Sequence, residues 1–113
     1  MTETGQDFTI RRGEGLTFPV AIPGEAGATQ AWWYVAEDRR AAVADRDLVL
    51  QTGGSGIVLS SSGPDVTALV SISAEQSEGL PVGPRHHELW LQTTAGPRCA
   101  AEGTITVLDS LRA

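Results

Sequence analysis

Apolar residues recur at every second position through most of this chain, the period that marks strands with one buried face. In residues 7–12, Phe8 and Ile10 share one face while Thr9 and Arg11 take the other. After the turn "GEG", the run "LTFPVAI" sets Leu16, Phe18, Val20 and Ile22 against Thr17, Pro19 and Ala21. Pro19 has no N–H for a ladder, which places this strand at a sheet edge or breaks it there. "QAWWYVAE" puts Ala31, Trp33 and Val35 on one side and Trp32, Tyr34 and Ala36 on the other. Either Trp32 or Trp33 fills the centre of the core, and the other side must be at least partly covered, because adjacent large rings left in water would form a costly patch.

Further along, "LVLQT" and "GIVLSSS" flank the Gly-rich connection "GGS", a hairpin-type pattern. "PDVTALVSI" turns Val66, Ala68, Val70 and Ile72 inward. "RHHELWLQT" separates Arg85, His87, Leu89 and Leu91 from His86, Glu88 and Trp90, and "AEGTITVLD" closes the chain with Ile105 and Val107 inward. Helical signals are few. Residues 38–47 have some helical look without a wide apolar stripe and read equally as a loop carrying charge, while Ser73 stands three residues before Gln76, the spacing of a capping box, so a single helical turn is expected there, crossing between sheets. The pattern predicts an all-β fold, an antiparallel sandwich of seven to nine short strands with one short helical turn, a closed barrel being the nearest rival.

The length of 113 residues suits one sandwich domain over 1–113, with a short flexible N-terminus of about six residues. The net charge of −6 argues against nucleic-acid binding, which needs a positive footprint to displace counterions. All the basic residues are Arg, and the adjacent pairs Arg11–Arg12 and Arg39–Arg40 are flanked by acids, as on solvated faces or in ion pairs. A basic start with an apolar run, or a span long enough for a bilayer, is missing, so no membrane partner is expected. Cys99 stands alone, which excludes an intrachain disulfide, and its strand setting predicts a buried small hydrophobe.

Catalytic and metal chemistry find little support. His86, His87 and Glu88 form the main cluster of potential ligands, yet neighbours on a strand point to opposite faces. Pairing His87 with Cys99 across strands leaves a site two ligands short. "GGSGI" lacks the setting of a nucleophile elbow or a phosphate loop, and a carboxylate pair drawn from Asp45, Asp47 and Glu88 involves two residues of an expected loop. The chain is read as no enzyme, with no cofactor and no metal.

The last third, residues 71–109, carries a resemblance. Ile72, Ala74, Glu75, Gln76, Ser77 and Leu80, then Pro81, Gly83, Arg85, His87, Glu88 and Leu89, then Gly96, Gly103 and Val107 follow the closing pattern of an Ig-like module found at the N-terminus of upper-baseplate and tail-fibre proteins of long-tailed phages. That pattern is a strand, a short turn, a "P-x-G-x-Y-x-Y-E-L" strand, a Gly-containing hairpin and a last strand. "FTIRRGEGLTFPVAI" is similar to the family's opening hairpin, with Arg12, Gly13, Glu14 and Gly15 at the turn. The chain departs from the family at Arg85 and His87, which stand where the family has tyrosines.

The resemblance implies an Ig-like sandwich in a virion, assembled in the host cytoplasm, forming homo-oligomers within a symmetric particle and contacting other virion proteins. Since the sequence ends at Ala113, a free-standing adaptor or decoration subunit is expected, or a fibre part encoded separately. Trp32, Tyr34, His86, Glu88 and Trp90 are the candidate interface. The competing expectation is a carbohydrate- or peptide-binding module, since three Trp in a small sandwich offer rings that stack on sugars.

Overall fold

The period-two segments are strands: β1 (Phe8–Arg11), β2 (Leu16–Ile22), β3 (Gln30–Ala36), β4 (Leu48–Gln51), β5 (Ile57–Ser62), β6 (Asp65–Ile72), β7 (Gly83–Thr93) and β8 (Gly96–Leu108), with the helix α1 (Ala74–Glu78) between β6 and β7. The computed structural model describes residues 6–25, 27–38, 40, 46–54 and 56–110. It arranges these strands in two sheets, one ordered β1-β8-β7-β3-β4 and the other β2-β6-β5. Most of the charged stretch at 38–47, read as a short helix or a loop, lies outside the described residues, including Arg39 and Asp45, as does Ser55 of the "GGS" connection.

The core between the sheets takes the inward residues that alternation picks out. Val66, Ala68 and Val70 of β6, Ala31, Trp33 and Val35 of β3, and Ile105 and Val107 of β8 are fully buried. Trp33 is the central ring, while Trp32 is half-buried on the opposite side of its strand. Around Trp33 gather Phe8, Phe18 and His87, with centroids 4.7 Å apart for Phe8–Phe18 and 5.6 Å for both Phe18–Trp33 and Trp33–His87. These tilted and edge-on contacts favour the ring quadrupoles. Pro19 sits on β2, an edge strand, where its missing donor leaves no gap in the ladder.

Helix α1 carries the capping box its sequence announces. Gln76 N–H donates to Ser73 Oγ at 3.1 Å, and Ser73 N–H donates to the Gln76 side-chain oxygen at 2.9 Å. The helix links β6 of one sheet to β7 of the other and holds the β1–β2 connection beneath it. The buried Ser77 hydroxyl donates to Glu14 O at 2.7 Å and accepts from Gly13 N–H at 3.0 Å. Arg12 donates twice to Glu78 O, at 3.1 and 2.8 Å, satisfying a carbonyl at the helix end.

Four expectations need correction. β1 and β2 do not form a hairpin, since β1 pairs with β8 and β2 with β6, so the "RGEG" turn passes between sheets. The β1–β8 pairing is parallel, so the fold is not wholly antiparallel. β4 and β5 likewise part into different sheets, touching through one isolated parallel bridge, Gln51 to Gly56. Gly56 has φ 108°, and a Cβ there would meet Leu50 Cδ1 at 2.9 Å, so only glycine lets the chain turn away so close to a core side chain.

Cys99 is the fourth. Leu89 pairs with Ala101 but Trp90 with Cys99, so β8 carries an extra residue opposite the Leu89–Trp90 step. Ala100 and Ala101 are both buried, the alternation of β8 is reset, and Cys99 lands half-buried on the outer face.

Candidate functional site

The outer face of the five-stranded sheet assembles the sequence-predicted residues on three alternate rungs. Antiparallel register sets Trp32 opposite Trp90, Tyr34 opposite Glu88 and Ala36 opposite His86. Same-face positions two apart along paired strands are neighbours, so Trp32, Tyr34, His86, Glu88 and Trp90 form one continuous patch, each of them half-buried. β4 extends the rungs with Gln51 beside Trp32 and Val49 beside Tyr34. β8 extends them with Cys99 beside Trp90, Glu102 beside Glu88 and Thr104 beside His86.

Glu88 organises this face. One carboxylate oxygen lies 2.8 Å from His86 Nε2, and the other accepts the Trp90 indole N–H at 2.8 Å. Residues i, i+2 and i+4 of β7 are thereby joined through a single carboxylate, which fixes the imidazole and the indole relative to each other. Over Tyr34 sits the Arg46 guanidinium, its carbon 4.1 Å from the ring centroid, a cation–π contact of about 0.5–1 kcal/mol at such a site. Tyr34, Ala36, Asp38, Arg46, His86, Glu88 and Trp90 together line a concavity of about 230 Å³. Aromatic surface, two carboxylates and a guanidinium thus surround one shallow basin, which offers ring faces, hydrogen-bond acceptors and donors to a polar group.

His87, one residue from this network, belongs to the core. It is 2% exposed and takes the Trp33 indole N–H on Nδ1 at 3.1 Å. Since Nδ1 accepts, the proton of the neutral ring resides on Nε2 and is donated to Gln6 O. Burial pushes the His87 pKa down, outweighing the opposing pull of the Gln6 carbonyl. The imidazole pair is therefore split between core and surface, and His87 and Cys99 face opposite sides of the sheet.

Among the carboxylates, Asp47 accepts a two-pronged bond from Arg85, at 2.8 and 3.1 Å, with both side chains largely buried. Arg85 has its pKa raised, chiefly by that hydrogen bond. Asp47 and Glu88 are thus each committed to different partners, and Asp45 lies outside the described residues. Among the described residues no group of three or more His, Cys, Asp or Glu is placed to hold a metal ion.

Arg46, Asp38, Cys99 and Glu102 are contributors that sequence reasoning missed. Arg46 sits in a charged stretch that reads as solvated, and only the pairing of β3 with β4 brings it over Tyr34. Cys99 and Glu102 could be set on this face only with the bulge of β8 known. No family model matches the chain, and no curated protein matches it.

Proposed function

We propose that this protein is an Ig-like adaptor of a phage or phage-like particle, which holds another particle protein on the outer face of its five-stranded sheet. The observation that carries the proposal is the Glu88-centred patch, where one carboxylate holds His86 and Trp90 beside Tyr34 and Trp32. Fixed rings flanked by charged groups, few of them needing to be ordered on contact, suit protein docking. Glu88 and Glu102 face each other on adjacent strands, so the fitting partner presents basic side chains to this rung.

The Ig-like reading is supported by strand order. β2-β6-β5 packed against β8-β7-β3-β4 matches the B-E-D and G-F-C-C′ order of variable-type Ig domains. The phage reading is supported by how the resembling residues are used. Ile72 ends β6, Ser77 and Leu80 are buried in and after α1, and β7 and β8 make the closing hairpin. Where the family has tyrosines, Arg85 and His87 have replaced them with an ion pair to Asp47 and a core bond to Trp33.

Mass spectrometry of purified particles from the source strain tests the proposal, together with a photo-crosslinker attached at Cys99. The expected result is this chain in fixed stoichiometry and a cross-link to another particle protein, both reduced by Trp90→Ala. A chain absent from every particle overturns it.

A carbohydrate- or peptide-binding role is the second reading, favoured by the basin between Tyr34 and Trp90. Saturable glycan or peptide binding that quenches tryptophan fluorescence and is lost in Trp90→Ala, without particle incorporation, would establish it instead.

A further inference from the structure

β1 ends its sheet and pairs with β8, and its two ends are held by different chemistry. At the far end Ile10 is buried in the core, while Arg12 donates to Glu78 O and Gly13 N–H to Ser77 Oγ. At the near end the hold centres on one titratable ring. His87 Nε2 donates to Gln6 O, and Phe8 lies against the same imidazole with centroids 5.1 Å apart. Beside it, Gln6 N–H donates to Glu102 O at 3.2 Å, and Asp7 accepts the Thr104 N–H at 2.8 Å. Gly103 permits this closure, since a Cβ there would collide with Gln6 O.

The near end therefore closes over a ring that fits in one charge state. Nδ1 accepts from Trp33, so a second ring proton would set two N–H donors head to head in the core. β2 and β3 pack on the ring through Phe18 and Trp33, and neither strand carries a charged residue to receive a cation. On β7, Arg85 is bound to Asp47, and His86 adds only like charge. The acids that act on the ring are Asp7 and Glu102, which favour its charged form without overcoming burial. Both adjoin Gln6, the first along the chain and the second through the bond from Gln6 N–H.

We propose that residues 6–9 form an acid-operated latch: protonated His87 leaves Trp33, turns towards Asp7 and Glu102, and displaces the front of β1 from β8, while Ile10 and the Arg12 clamp keep the sandwich folded. Release frees the edge of β8 at Ile105 and Thr106 and lets water reach the Trp33–His87 pair. The sign follows from burial, because the closed form resists a proton that the opened form accepts. Each pH unit below the ordinary imidazole value of 6.5 favours the opened form by up to tenfold.

Hydrogen exchange read residue by residue by NMR, each rate divided by its intrinsic value, tests the latch without any partner. Between about pH 7.5 and pH 5 the Gln6 and Thr104 amides are expected to lose at least tenfold in protection. At every pH they should exchange faster than the amides of β6, because the front opens while the sandwich stays folded. His87→Gln, whose amide accepts and donates but takes up no proton in this range, should abolish the acid response. His86→Gln, at the other histidine of the chain, should retain it, which keeps the test decisive even where His87→Gln does not fold. Protection at Gln6 and Thr104 that is indifferent to pH overturns the proposal. So do exchange no faster than in β6, an acid response that survives in folded His87→Gln, and one that disappears in His86→Gln.

Discussion

Trp33 and His87 meet nitrogen to nitrogen in the core, the indole N–H donating to Nδ1 at 3.1 Å with both side chains at most 2% exposed. That bond requires a neutral imidazole. It also ties three elements together, because Nε2 of the same ring donates to Gln6 O, just before β1, across Gly103 of β8. A polar pair in an otherwise apolar centre is tolerated because both rings are satisfied, and it fixes one register of β3 against β7.

Stability should therefore fall as the medium is acidified. The His87 pKa is lowered in the folded protein, so below about pH 6.5 the unfolded chain takes up a proton that the folded chain resists. The stabilisation is complete above that pH and is lost as pH drops towards the folded-state value, at about 1.4 kcal/mol per unit of separation between the two. Urea unfolding between about pH 7.5 and 5.5 reads this slope, and His87→Phe should flatten it. A wild-type protein equally stable across that window would refute the assignment.

Gly103→Ala should loosen the first strand. A Cβ at this position would collide with Gln6 O and lie 2.9 Å from Asp7 Oδ1, which itself accepts the Thr104 N–H at 2.8 Å. The backbone of residues 6–7 must move, breaking the His87–Gln6 bond and the Asp7 contact. Overpacking of this kind costs about 1–3 kcal/mol. Hydrogen exchange at β1 and at Thr104 should accelerate more than exchange in β6, and uniform exchange rates would contradict this account.

Strand faces were legible in the sequence because alternation is a local signal. Val66 to Ile72, Trp33 with Val35, and His86 against His87 all follow from period two, and the Ser73–Gln76 box is local as well. Sheet membership was not, since a turn such as "RGEG" or "TGGSG" has the same composition whether it makes a hairpin or carries the chain to the other sheet. The bulge in β8 was equally silent, and one inserted residue moved Cys99 from the expected core to the outer face of the five-stranded sheet. The choice between Trp32 and Trp33 depended on which face meets β2 and β6, a non-local fact.

Arg85 and Asp47 form a second buried test. Their side chains are 16% and 10% exposed, and the guanidinium fork matches the carboxylate in two bonds. Arg85→Ala leaves the Asp47 charge without its partner in a poorly hydrated position, and about 2–4 kcal/mol of stability should be lost. Arg85→Lys keeps the charge but not the fork and should recover only part. In the double variant Arg85→Ala/Asp47→Ala the loss should be well below the sum of the two single losses, as thermal or urea unfolding will show. Additive losses would mean the two side chains act independently.

Glu88→Ala should separate docking from stability. The carboxylate is partly exposed and binds His86 and Trp90 on the surface of the sheet, with neither bond contributing to the core. Its removal should change stability by less than about 1 kcal/mol, the ordinary range for exposed polar contacts. The Trp90 indole loses its acceptor, however, and the ring is released from the geometry it holds with His86 and Tyr34. Acrylamide quenching should then increase for the Trp90 component, while Trp33, fully buried, stays protected. Partner binding should weaken about tenfold or more, with a slower effect of salt, because both the fixed ring and one of the two facing acids are gone. A variant that binds as wild type while its Trp90 moves freely would show that the preset geometry of this face does not matter to docking.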